Sequence, residues 1–291
     1  MINSLYTDIY NELINLLLDV IVSLIFLSKK NLMSKKFNPL FYIILFLWNF
    51  INPVSYPIAW ADEIQAAVAT NFHNPFKAVV KQFEKKTSHK VIIIAGSTGK
   101  LYAQIVNGAP FDIFLSADSL RPKLLMQEGR AVSGTQYSYA FGKITLWSPS
   151  PNLISESVKS TLLKNKFSHI AIANPITAPY GKAALQTLEK IGQWDRLKPL
   201  VVQGENIGQT FQFVFSENAE LGFVALSQVL DPKNNQKGKR VEIPSEYYDP
   251  IKQDIVILTR GKNNNGAMAL WQFLKGDQAK RIIKKYGYEL S

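Results

Sequence analysis

From Asp62 onward the chain alternates short β-branched runs with stretches whose apolar residues recur every three to four positions. That alternation argues for helices layered on sheets. Ile64 to Ala69 reads as a strand and Val91 to Ile94 as a buried one. Between them Phe76, Val79, Val80 and Phe83 mark one face of a helix over 75–86, with Pro75 suited to its first turn. A short helix is expected over 99–106, a third strand over 111–115 and a helix over 121–128. Residues 137–147 alternate long enough for one strand that crosses between two lobes. The order then returns as strand 169–173, helix 182–191, strand 200–202, helix 208–215 and strand 221–226. Residues 231–239 are polar and read as a loop; a strand over 253–258 and two helices close the chain. No repeat at a fixed period appears.

The first 61 residues follow a different logic. Leu13 to Leu27 and Leu40 to Ile51 are apolar, yet each is shorter than the roughly 20 residues a spanning helix needs. The second run has the parts of a secretory signal: Lys35 and Lys36 as basic n-region, Phe41 to Trp48 as h-region, and Ala59-Trp-Ala61 as cleavage site. Met33 stands directly before this signal, so residues 1–32 read as an over-extended start. The competing reading is a two-helix membrane hairpin. On the first reading the protein is exported, and its mature part begins at Asp62.

At 291 residues the chain exceeds the size at which one core stops growing, so two lobes are expected. The absence of Cys excludes disulfides, Cys-ligated zinc, a thiol nucleophile and a lipidated Cys anchor. The three His are far apart, without metal-ligand spacing. A net charge of +11 would suit nucleic acid, an anionic membrane or an anionic small ligand. The lysines are scattered without interleaved aromatics, which favours a solvated basic surface and no nucleic-acid partner.

Four strand-to-helix junctions carry the candidate chemistry: Ala69-Thr70-Asn71, Gly96-Ser97-Thr98-Gly99, Ala178-Pro179-Tyr180-Gly181 and Asn206-Ile207-Gly208. A helix that starts there presents unpaired N–H groups and partial positive charge, an anion seat. The same residue types are also ordinary N-caps. Other motifs fail. Gly96-Ser-Thr-Gly-Lys100 lacks both the first glycine of a phosphate loop and the hydroxyl after its lysine. No G-x-S-x-G elbow, His-based triad or H-E-x-x-H appears, so no enzyme is indicated. Tyr247-Tyr248 could be paired ligands for ferric iron, or aromatics packed at a crossover between lobes.

At these loops the sequence is similar to the periplasmic molybdate-binding proteins of ABC transporters. The resemblance runs through Ala67 to Phe72, Gly96 to Asp118, Asn174 to Gly181, Leu221 to Leu226 and Tyr247-Tyr-Asp-Pro250. Its strongest block is Asn107-Gly-Ala-Pro110 to Ser116-Ala-Asp118. It implies an α/β, two-lobed periplasmic-binding-protein fold, each lobe a mixed sheet flanked by helices, joined by a two-crossover hinge. Residues 62–142 with 248–291 would form one lobe and 143–247 the other. The oxyanion contacts it implies are Thr70, Asn71, Thr98, Tyr180 and Ile207, the last through its backbone N–H, with Ser97 and Ala178 as additional candidates. The implied ligand is molybdate or tungstate, bound only as the oxyanion and without a cofactor, and the alternative is sulfate or another tetrahedral oxyanion. The implied partners are a membrane permease and its ATPase; the protein would be a periplasmic monomer. Where relatives often carry Ser this chain has Thr98, whose extra methyl narrows the pocket.

The junction residues suit such an ion. A tetrahedral dianion accepts hydrogen bonds and donates none, so hydroxyls and N–H groups serve it and a carboxylate would repel it. The four loops hold no Asp or Glu, although Glu205 and Asp118 lie nearby. Lys100 and Lys182 follow the loops and are expected to raise the local potential rather than touch the ion.

Overall fold

The computed structural model describes residues 62–164, 166–234 and 238–290, so the signal-peptide reading of residues 1–61 lies outside it. Among the described residues ten strands form two five-stranded mixed sheets, each the centre of one lobe. The first sheet is ordered β2-β1-β3-β10-β4, from β1 (Glu63–Ala69), β2 (Lys90–Gly96), β3 (Ile113–Leu115), β4 (Tyr137–Gly142) and β10 (Ile251–Ile257). The second is ordered β7-β6-β8-β5-β9, from β5 (Ile144–Ser148), β6 (Ile170–Ala173), β7 (Val201–Gly204), β8 (Leu221–Ala225) and β9 (Lys239–Glu242). The two orders correspond. In each sheet three strands run parallel, and the fourth position is antiparallel to both neighbours: β10 in the first sheet, β5 in the second. The lobes thus share a topology that leaves no repeat in the sequence, because layer packing constrains hydrophobic pattern rather than residue identity.

Helices cover both faces of each sheet. Those of six residues or more among the described residues are α1 (His73–Lys86), α2 (Thr98–Val106), α3 (Leu120–Gln127), α4 (Val158–Leu163), α5 (Pro179–Lys190), α6 (Ile207–Phe215), α7 (Asn265–Lys275) and α8 (Asp277–Lys285). On one face of the first sheet Ile64, Ala66 and Val68 pack against Phe76, Val79 and Phe83 of α1 and Leu270 and Ile283 of the closing helices. On the other, Ala67, Phe114 and Val256 meet Leu101, Ile105 and Leu125. Each fully buried Leu, Ile or Phe contributes about 1.5–3 kcal/mol by leaving water.

Three expectations need correction. β2 is not buried: it is an edge strand, with Ile92 43% exposed. The single strand expected over 137–147 is two strands in different sheets, β4 ending at Gly142 and β5 starting at Ile144. At Gly142 an added Cβ would collide with the Tyr180 hydroxyl and the Gln253 amide, so only glycine leaves room for both. The loop expected over 231–239 ends in an edge strand, β9, whose Lys-Arg-Val-Glu sequence is polar because little of it is covered. Among the described residues no helix is long and apolar enough to cross a membrane.

Candidate functional site

The parallel strands β1, β2, β6 and β7 all point their carboxyl ends at the four junctions, the position where open α/β sheets bind ligands. Whether these junctions are simply capped helix starts is answered by their hydrogen bonds. Asn206 is a working N-cap: its Oδ1 accepts from the Gln209 N–H at 3.0 Å. The other three are not. The residues before the helices are Ala69, Ser97 and Ala178, and none of their side chains bonds a helix N–H. Thr70 and Asn71 occupy the first turn after β1, Thr98 opens α2, Tyr180 is second in α5, and Ile207 opens α6. First-turn N–H groups have no partner within their own helix, so these ends present donors. Some are spent elsewhere: Gly99 N–H on the Thr177 carbonyl at 2.8 Å and Ala178 N–H on that of Asn174 at 2.9 Å.

The hydroxyls are held so that their protons stay free. Thr98 is buried, and its Oγ1 accepts from the Ala117 N–H at 3.0 Å. The Thr70 Oγ1 accepts from the Gly208 N–H at 3.3 Å, a bond between the lobes. Neither hydroxyl proton has an acceptor among the described residues. Ser97 goes further: it is 3% exposed and its Oγ has no hydrogen-bond partner. A buried hydroxyl left unpaired costs about 1–3 kcal/mol, so it calls for a partner the protein itself does not supply.

Asn71 and Tyr180 play a different part. The Asn71 Nδ2 donates to Gln253 Oε1 at 2.8 Å and to the Tyr288 hydroxyl at 3.0 Å, so both amide hydrogens are spent and only the backbone N–H remains. The Tyr180 hydroxyl accepts from Gln253 Nε2 at 3.1 Å. Burial pushes the phenols of Tyr139 and Tyr180 well above their ordinary range and that of Tyr288 up to about 12. All three are neutral near pH 7 and keep their protons to donate. Sequence reasoning missed Gln253, Tyr139, Tyr288 and Ser227; the available signal was the Lys-Gln-Asp run in β10, whose other residues are all Ile or Val.

Contacts across the cleft bring the junctions together. Ala69 and Ala117 of the first lobe share one apolar cluster with Ala178, Tyr180 and Ile207 of the second. Arg121 Nη2 donates to the Ile176 carbonyl at 3.2 Å, and Lys100 pairs with Glu205. A cleft of about 220 Å³ opens beside the first junction, lined in part by Thr70, Asn71, Gly208 and Ser227. The carboxylates near the loops are occupied, Asp118 by Arg121 and Glu205 by Lys100. Lys182 is likewise paired with Asp249 at 2.8 Å. The lysines expected to raise the local potential are therefore largely neutralised. The Lys100–Glu205 pair is half-exposed, so Lys100→Gln should change anion affinity less than about fivefold, and titrations at low and high salt should converge.

The family model for bacterial extracellular solute-binding proteins matches residues 64–289. The molybdate-binding protein ModA of Azotobacter vinelandii is 50% identical over 232 residues, covering 80% of this chain and 92% of that one. The chain belongs to the ModA family. ModA of Rhodobacter capsulatus is 44% identical, covering 79% and 89% of the two chains. The solved structure of the Azotobacter vinelandii periplasmic molybdate-binding protein superposes with a TM-score of 0.75 at 39% identity, covering 78% of this chain and 99% of that one. For a ModA-family chain the twin tyrosines have an ordinary role: Tyr247 and Tyr248 pack against the core of the second lobe. Among the described residues no group of three or more His, Asp or Glu could hold a metal ion.

Proposed function

We propose that this protein is an extracytoplasmic solute-binding protein that captures molybdate, and tungstate with it, between its lobes and delivers the ion to an ABC permease. The observation that carries the reading is the Ser97 hydroxyl, buried and unpartnered, together with the Thr98 and Thr70 hydroxyls of the same junctions, whose protons are uncommitted. An ion that only accepts hydrogen bonds completes all three. Thr70, Asn71, Thr98, Tyr180 and Ile207 are the contacts, with Ser97 added to them. Asn71, Tyr180 and Ile207 act through backbone N–H groups at the starts of their helices. Ala178 takes no part through its N–H, which is already bonded. The protein changes nothing in its ligand and needs no cofactor.

About six such charge-assisted bonds, at roughly 1.5–3 kcal/mol each, exceed the cost of ordering and desolvation by enough for micromolar to nanomolar affinity. No lysine or arginine is needed in the contact shell, which leaves the ion releasable. The lobes are residues 62–142 with 248–291 and residues 143–247. They swing about Gly142-Lys143 and the segment before Ile251, and closure forms the surface the permease meets. The working form is a monomer in the periplasm.

Melting curves with molybdate, tungstate, sulfate and phosphate test the reading. At a thousandfold excess over Kd a ligand adds about 4 kcal/mol, which in a protein of this size raises Tm by about 8–16 °C. Molybdate and tungstate should give such shifts, and phosphate, whose proton finds no carboxylate to accept it, should not. A shift with sulfate alone would reject the assignment.

A further inference from the structure

Behind the two anion-bearing turns lies a buried ring of hydrogen bonds that joins the lobes. Gln253, 0% exposed, sits on β10 where the pairing with β4 slips by one residue. The extra residue of that bulge is Tyr139 on β4, whose hydroxyl bonds Gln253. Its Oε1 accepts from Asn71 Nδ2 at 2.8 Å and from the Tyr139 hydroxyl at 3.0 Å, and its Nε2 donates to the Tyr180 hydroxyl at 3.1 Å. Tyr288 lies 2.8 Å from the Asn71 carbonyl and 3.1 Å from Ser227 Oγ, which itself donates to the Asn71 carbonyl at 2.9 Å. Both branches meet at Asn71, whose Nδ2 also donates to the Tyr288 hydroxyl at 3.0 Å. Asn71, Tyr139, Gln253 and Tyr288 belong to the first lobe, Tyr180 and Ser227 to the second.

We propose that Gln253 is a positioning residue for anion capture: it locks the Asn71 and Tyr180 turns in register when the lobes are closed, and so sets the rate of release. The inference rests on the oxyanion reading above. Only an amide serves here, because the position must accept from Asn71 and Tyr139 on one side and donate to Tyr180 on the other. The bonds to Tyr180 and Ser227 exist only while the lobes meet. Losing them therefore destabilises the closed state and leaves the encounter of ion and open cleft untouched.

The test is stopped-flow tryptophan fluorescence with molybdate as probe, on wild type, Tyr180→Phe, Gln253→Leu and the double variant. Each single variant should release the ion about tenfold faster, with the association rate within about twofold of wild type. The double variant should release no more than about twofold faster than the faster single one, because both changes remove the same bond. A defect confined to folding would not produce that non-additive split. Should Gln253→Leu fail to fold, Gln253→Asn, too short to reach Tyr180, takes its place. Release rates within twofold of wild type, multiplicative effects in the double variant, or losses carried by association would each overturn the inference. Absence of molybdate binding by the wild type would reject the oxyanion reading, and the inference with it. Binding by a wild type whose variants release at its own rate would reject the inference alone.

Discussion

Ile207→Pro should abolish tight anion binding while leaving the fold intact, with affinity falling more than about hundredfold. The position is the first of α6, where proline is tolerated because the N–H it lacks has no partner inside the helix. Asn206 before it is already extended, at φ −149° and ψ 170°, the conformation a following proline demands. The substitution thus removes one donor and sets a ring carbon where the anion would sit. An N–H bonded to a charged ligand is worth about 1.5–3 kcal/mol, a factor of about 10 to 150, before the steric block is counted. Ile207→Val keeps the N–H and most of the buried side chain, and should hold affinity within about threefold. Isothermal titration with molybdate decides, with melting of the ligand-free protein as the check on folding. If the proline variant binds within threefold of wild type, the Ile207 N–H does not touch the ion.

The alternation of β1, α1, β2 and α2 was legible because α1 and α2 each bury one face at helical spacing while β1 and β2 are short apolar runs between them. The break at Gly142 was not. Residues 137–147 alternate with only a one-residue phase slip at Gly142-Lys143, and the Tyr180 hydroxyl that demands glycine there arrives from a helix some forty positions later. β9 and α4 escaped notice for a related reason: the first is a polar edge, and the second is a six-residue helix whose start depends on a Ser157–Ser160 capping box. The candidate loops could be found in the sequence, since hydroxyls and amides cluster before helices. What those residues do there could not. Ser97 looks like an N-cap, and only its geometry shows a hydroxyl that caps nothing. Asn71 looks like a ligand side chain, and only its partners show an amide spent on the interface between lobes.

Ser97→Ala should move stability and binding in opposite directions. In the ligand-free protein the Ser97 hydroxyl is buried without a partner, so its removal relieves a desolvation cost and should leave Tm equal or raise it by a few degrees. With molybdate the same hydroxyl gains an acceptor, and its loss should weaken binding about tenfold or more. A hydroxyl kept for packing or capping would show the reverse: a lower Tm and an unchanged affinity. Ser97→Asp sharpens the comparison. A carboxylate about 4 Å from a dianion, at the effective dielectric of a protein surface, opposes it by about 4 kcal/mol per charge, a loss of at least about a thousandfold. Melting and titration of both variants separate the two accounts. An alanine variant that melts higher and still binds molybdate like wild type would show that the orphaned hydroxyl serves some other guest, and the site would then have to be rebuilt around Thr70 and Thr98 alone.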